Sequence, residues 1–302
     1  MSLLSGPLNY YRPWSHMMDK RCNLPLAPVS SHRLRWPVLF HMVSQLGIQM
    51  DYLQSAYDVC HVMQQYDLAL PKFLPKYDQP KYPRARHLEI QDLGILIRVP
   101  WSQLRQWNTL VHPWLLVPKS SNLFSRFVTD CSILTRQAYP TLEQVGSIHS
   151  FLHSLSSHDQ SAHLDVHLEY DFVSFFYQLP LGQDVQPLFQ VLLQIHETWQ
   201  RWMLTVLPQG WRPSSGVAQT VSVAICQCLE VECHQQGFLV VARPWIDNII
   251  LRVSHLHRDQ AESTLMSILT RLNLEAKFEG QDAPFLNIDC DWLTQTFRLT
   301  QK

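Results

Sequence analysis

Glycine is the feature that most restricts this chain. Nine glycines stand among 302 residues, at positions 6, 47, 94, 146, 182, 210, 216, 237 and 280, and no two lie within five residues of each other. An average share of about 7% would supply more than twice as many. Neither a G-x-G-x-x-G turn nor a G-x-x-x-x-G-K-[ST] loop can be written with this spacing, so the two nucleotide folds that cradle phosphates on glycine-rich backbone are excluded. Any phosphate this chain handles must be held by side chains or by metal ions.

The hydrophobic fraction, 46%, is enough for a substantial core, whereas the charged fraction, 16%, is low. Lys+Arg 24 against Asp+Glu 25 leaves a net charge of -1. That balance argues against a histone-like or tail-driven nucleic-acid binder but leaves room for a local basic groove. The seven cysteines, at 22, 60, 131, 226, 228, 233 and 290, are odd in number and loosely spaced. Such usage fits a reducing compartment, so the expected location is intracellular, cytoplasmic or nuclear. Cys226, Cys228, Cys233 and His234 fall in a stretch of helical period, where C-x-C sends two thiols to different faces; ordinary buried cysteines are the better reading than a zinc set. No signal peptide is read at Met1-Ser2-Leu3-Leu4, which runs at once into Gly6-Pro7. No apolar run reaches the ~18 residues of a spanning helix, and no membrane partner is expected.

Residues 1–86 read as an N-terminal extension with one helix and a Pro-rich linker. Residues 1–38 lack clear periodicity and suggest an extended arm. Leu53, Tyr57, Cys60 and Met63 recur at helical spacing and predict a helix over 51–66. Pro71, Pro75, Pro80 and Pro83 then mark the linker and the best domain boundary. From 87 to 302 the pattern is globular. A short helix is expected around 88–93, ending at Gly94, and two short strands over 115–117 and 126–129. His163 to Phe172 alternates strictly, with Leu164, Val166, Leu168, Tyr170 and Phe172 on one side, and predicts a strand. A long helix is expected over 214–236, ended by Gly237. A hairpin over 238–253 carries the polar tip Pro244-Trp245-Ile246-Asp247-Asn248. An amphipathic helix over 258–272 and a final strand or hairpin over 285–299 complete an α+β layer with an antiparallel sheet.

Two acids stand at strand ends in this scheme. Asp171 closes the alternating strand, and Asp247 sits at the hairpin tip. Carboxylates at the ends of adjacent strands can share divalent cations, which polarise an attacking hydroxyl and a leaving pyrophosphate together. Taken singly, a strand-terminal Asp is more often a solvated edge residue and a tip Asp a turn former.

The neighbourhood raises the odds. Over about 87–299 the chain resembles the reverse transcriptases of retroviruses, LTR elements and DIRS-like retrotransposons, with six motifs in the family's order. W-L-L-V-P-K ending at Lys119 and R-F-V-T-D from Arg126 look like the fingers hairpin, where the resemblance implies that Lys119 and Arg126 grip the incoming triphosphate. D-F-V-S-F-F-Y-Q-L-P-L from Asp171 is similar to the first palm motif, with Asp171 a metal ligand and Phe176 the gate against a ribose 2′-hydroxyl. L-P-Q-G-W from Leu207 is similar to the motif that lines the nucleotide and template pocket, through Gln209, Gly210 and Trp211. Trp245-Ile246-Asp247-Asn248 stands where the family has aromatic-x-Asp-Asp. Lys277 resembles the lysine that approaches the pyrophosphate and can protonate it, and Phe285-Leu286 resembles the primer grip. Asp171, Gln209 and Asp247 follow each other at equal intervals of 38 residues, room for a connecting strand and one long helix.

The resemblance thus implies a right-hand polymerase: an antiparallel palm with packed helices, partial fingers and no thumb in these residues. Its catalytic set would be Asp171, Asp247, Asn248 and Lys277. Two Mg²⁺ (or Mn²⁺) ions would lie on Asp171, Asp247 and Asn248. The partners would be an RNA/DNA primer-template and deoxynucleoside triphosphates, with further element-encoded domains (thumb, ribonuclease H, integrase or recombinase). The sequence departs from the family at Asn248, a neutral residue for the second Asp, at Arg212-Pro213-Ser214, and at Asn287, where the primer grip has glycine. These departures keep a second reading open: a catalytically degenerate remnant of the same fold that binds nucleic acid or protein. An RNA-templated RNA polymerase is a third, disfavoured by Phe176.

Overall fold

The computed structural model describes residues 24–63, 82–100, 111–119, 123–135, 142, 164–281, 288–291 and 296–299. Helices α1 (Trp36–Gln45) and α2 (Leu53–His61) come first, then α3 (Arg84–Asp92) and β1 (Leu96–Arg98). The hairpin β2 (Trp114–Pro118) and β3 (Ser125–Thr129) follows, with the short α4 (Ser132–Thr135). Next are β4 (Val166–Phe172), α5 (Phe175–Gln178), β5 (Gln190–Ile195) and β6 (Thr198–Leu204). The last part holds α6 (Pro213–Gln235), β7 (Val240–Trp245), β8 (Asn248–Val253), α7 (Arg258–Leu272), β9 (Ala276–Gln281), β10 (Ile288–Asp291) and β11 (Thr296–Leu299). This is an α+β chain in which every pair of described strands is antiparallel.

The central sheet has the order β7-β8-β4-β9. Its helix-packed face follows from the period of two. Val166, Leu168, Tyr170 and Phe172 are buried, and the Tyr170 hydroxyl donates to Glu262 on α7 at 2.8 Å. Glu169 and Asp171 therefore stand on the other face. Helix α6 lies along β7 and against α7, burying Val217, Val221, Ala224, Ile225 and Cys228. Gly237, in the left-handed region at φ +90, turns the chain out of that helix.

Several elements differ from the sequence expectation. Residues 36–45, partly assigned to an extended arm, form α1, with Pro37 in its first turn and Trp36, Leu39, Met42 and Val43 buried. With Leu53, Ala56, Val59 and Cys60 of α2, these side chains enter the same core as the central sheet. The α2 helix itself is shorter than expected, 53–61 rather than 51–66. A three-stranded sheet β1-β6-β5 was also unforeseen. Its β5–β6 turn uses His196 and Glu197 at φ +47 and +65, so the usual Asn or Gly signal of such a turn is missing. The linker prolines Pro71, Pro75 and Pro80, and Phe285, Leu286 and Asn287, which the resemblance likened to a primer grip, lie outside the described residues.

Candidate active site

Asp171 ends β4 between two neighbours. It pairs with Asn248 on β8 and with Lys277 on β9. The second pairing depends on a bulge: Glu169 pairs with Gly280 and Tyr170 with Phe278, so Glu279 is passed over. Without that extra residue Phe278 would stand opposite Asp171; the bulge brings Lys277 there instead. Asp247 reaches the same place by a two-residue turn, Ile246–Asp247, between the paired Trp245 and Asn248. The Phe172 amide donates to the Asp247 carbonyl at 2.8 Å, which closes the hairpin tip onto the end of β4.

This turn is strained and clamped. Ile246, a β-branched residue, has φ +54, a left-handed conformation that costs about 1–2 kcal/mol for a residue with a Cβ. Two buried side chains of α6 hold it. Gln219 accepts from the Ile246 amide at 2.7 Å and donates to the Pro244 carbonyl at 3.3 Å, and Ser222 donates to the Ile246 carbonyl at 2.6 Å. The motifs named neither residue; both are polar side chains buried on α6 together with Ser214 and Thr220. Gln178 plays a similar part on the other side. It is fully buried, donates to the carbonyls of Val173 and Glu275 and accepts from the Glu275 amide, fastening the loop after Asp171 to the start of β9.

The β2–β3 hairpin is carried over these acids by three attachments. Thr129 donates its amide to the Gln209 carbonyl at 2.8 Å, the Tyr177 hydroxyl donates to the Phe127 carbonyl, and Ser125 exchanges backbone hydrogen bonds with Pro25 and Ala27. Gly210 makes the first one feasible. At φ +95 its missing side chain lies against β3, where a Cβ would come within 2.4 Å of the Thr129 carbonyl oxygen. Trp211, by contrast, is turned into the core against Phe189, away from the pocket described next.

Lys119, Arg126, Asp171, Phe176, Gln209 and Asp247 line one small pocket of about 50 Å³. Its remaining wall includes Leu26, Ala27 and Val29 from the segment before α1. That segment crosses from the hairpin to the central sheet: Ala27 and Pro25 bond to Ser125, the Pro28 carbonyl accepts from Ser174, and Ser30 donates to Glu275 at 2.5 Å. Asn248 and Lys277 flank Asp171 in the sheet rather than line this pocket.

The electrostatics of the pocket are those of crowded acids beside cations. Burial, and then repulsion from Asp247, pushes the Asp171 carboxyl up to about 6. Burial also raises Asp247, against the opposing pull of Arg126 and Lys119. Lys119 is lowered by burial and by neighbouring Arg126. Lys277 is raised, first by its hydrogen bond to Glu279. Glu169, absent from the motif reading, is pushed up to about 7 by burial while Asn248 donates its amide to it. Uncompensated ionised carboxylates are disfavoured here, and a cation between them would reverse that preference.

Among the described residues no group of three or more His, Cys, Asp or Glu is gathered that could hold a metal by itself. Asp171 and Asp247 are two. That donor set suits Mg²⁺, which commonly takes one or two carboxylates and completes its shell with water and substrate phosphates. Cys226, Cys228 and Cys233 are buried thiols of α6. No described helix is long and apolar enough to cross a membrane. In comparisons with known proteins, the chain matches no protein-family model and no curated sequence.

Proposed function

We propose that this chain is the fingers and palm of an RNA-directed DNA polymerase that transfers a nucleotide from a deoxynucleoside triphosphate to a primer 3′-hydroxyl. The observation that carries the reading is the convergence of six motif residues, separated by up to 128 positions between Lys119 and Asp247, on one pocket. Chance resemblance of short motifs does not require their side chains to meet.

Asp171 and Asp247 would hold two Mg²⁺ or Mn²⁺ ions, with the Asn248 carbonyl oxygen a neutral third donor. Such ions, when bound, lower the pKa of the attacking hydroxyl and neutralise the leaving pyrophosphate. Lys119 and Arg126 offer cations to the triphosphate oxygens from the hairpin above. The primer hydroxyl attacks the α-phosphate, the bond to the β-phosphate breaks, and pyrophosphate leaves. Lys277, in register with Asp171, is the nearby acid for the leaving group. Phe176, half-buried in the pocket wall, is the residue to reject a 2′-hydroxyl. Gln209 contributes its side chain to the same wall, while its carbonyl anchors the hairpin.

The test is primer extension on an RNA template with Mg²⁺ or Mn²⁺, comparing the chain with Asp171→Ala. Extension that depends on Asp171 and prefers deoxynucleotides supports the reading, and a wild type no better than the variant overturns it. Asn248 favours one competing reading, a fold that binds without catalysis. Activity appearing only in Asn248→Asp would establish that alternative.

A further inference from the structure

We propose that Glu169 is a positioning residue for the acid pair: it holds the Asn248 amide by its nitrogen, turns the Asn248 carbonyl oxygen away from itself toward the Asp171 side, and supplies the negative charge that position 248 lacks. The inference rests on the polymerase reading only for what the acid pair does.

The register carries the first half. Asn248 stands directly opposite Asp171, so whatever occupies position 248 adjoins that carboxylate. Glu169 is two residues before Asp171 on the same strand and faces the same side, away from the helices. Asn248 Nδ2 donates to Glu169 Oε1 at 3.1 Å. With Glu169 the acceptor, the amide presents its NH₂ to that carboxyl and its oxygen elsewhere. The hydrogen bond therefore decides which end of the Asn248 amide is free to ligate.

The company Glu169 keeps carries the second half. The charged groups acting on it are Glu279, on the neighbouring strand β9, and Asp171. Among the described ion pairs none includes Glu169, and the nearby cation Lys277 is taken by Glu279. A half-buried acid set among acids, with only an amide for a partner, has no structural benefit to offset its burial. It acquires one if a cation is shared nearby. The same geometry accounts for Asn248: an aspartate there would meet Glu169 as a second carboxylate, whereas an asparagine donates to it. Position 169 thus places an acid beside the neutral residue at 248.

The experiment is Mn²⁺ binding to the full chain, followed by electron paramagnetic resonance without nucleotide or primer, with Asp171→Asn identifying the signal that belongs to the site. Glu169→Gln is expected to weaken Asp171-dependent binding about tenfold, the lower range for residues that orient a ligand, without lowering the Tm. In an Asn248→Asp background the same substitution is expected to strengthen binding. A Glu169→Gln variant that binds Mn²⁺ as the wild type does, or weakens it equally in both backgrounds, overturns the proposal, as does a wild type without Asp171-dependent binding. Glu169→Asp serves if Glu169→Gln does not fold: the withdrawn carboxylate loses the amide and binding weakens, and unchanged binding overturns the proposal. Failure of primer extension with the Glu169 effect intact would remove the polymerase reading alone; extension without any Glu169 effect would remove this proposal alone.

Discussion

Strain and desolvation concentrate on a few residues at the end of the central sheet. Ile246 is left-handed without being glycine, Asp171 and Asp247 are half-buried acids, and Glu169 adds a third. For Asp171 this has a definite sign. Its folded value, about 6, lies above the ordinary 3.8, so the folded chain takes up its proton first and gains stability as pH falls from 6 toward 4. Above pH 6 the ionised group burdens the fold. Buried and half-buried histidines act oppositely: His167, lowered to about 3 by burial and by Arg252, and His61, His87 and His112, lowered by burial, favour the fold less as pH falls below 6.5. The raw pH curve mixes the two, so the difference between Asp171→Asn and wild type is the measurement. By thermal melting Asp171→Asn should exceed wild type in Tm at pH 7, by a margin that shrinks toward pH 4 and also shrinks when Mg²⁺ is added. Asp171, Asp247 and Gln209 were legible because their motifs are short and local. Glu169, Gln178, Gln219 and Ser222 were not, because each works by reaching a strand or turn distant in sequence.

Elements were legible where burial is one-sided. The alternation of β4, the amphipathic α7 and the long α6 all appear where hydrophobic period and stop signals agree. The segment before α1 is the opposite case. Leu26, Ala27 and Val29 show no period, since their place is set by hydrogen bonds to Ser125 and Ser174 in elements about a hundred residues or more away. This strap closes one wall of the pocket and ties the β2–β3 hairpin to the central sheet. Deleting residues 1–29 leaves Ser30 and α1 in place but removes the wall and its bonds to Ser125. On the polymerase reading it should raise the KM for deoxynucleotide several-fold with a smaller fall in kcat, the pattern of lost ground-state binding. Steady-state extension kinetics check this, and an unchanged KM would show that the strap is packing only.

At the scale of the whole molecule, one apolar core runs from Leu34 to Leu274, taking in α1, α2 and both larger sheets. A cooperative unit of that extent should unfold in one transition. Five buried thiols report on it: Cys60 on α2, Cys131 after β3, and Cys226, Cys228 and Cys233 on α6, all raised by burial. Across a urea gradient, their reactivity toward a thiol reagent should rise together with the loss of tryptophan fluorescence. Early exposure of Cys60 would mark the N-terminal helices as a separate unit, as the Pro-rich boundary in the sequence suggests.

The amino-acid sequence alone determined the α+β alternation, the exclusion of glycine-cradle nucleotide folds, and the order and spacing of the acid, glutamine and lysine motifs. These are properties of local period and composition. Only the tertiary structure decided that Lys119, Arg126, Asp171, Phe176, Gln209 and Asp247 share a pocket, that Trp211 belongs to the core, and that Lys277 rather than Phe278 faces Asp171. Register, bulge and strap are settled by backbone hydrogen bonds between distant segments, and a backbone amide carries no side-chain signature from which its partner could be read.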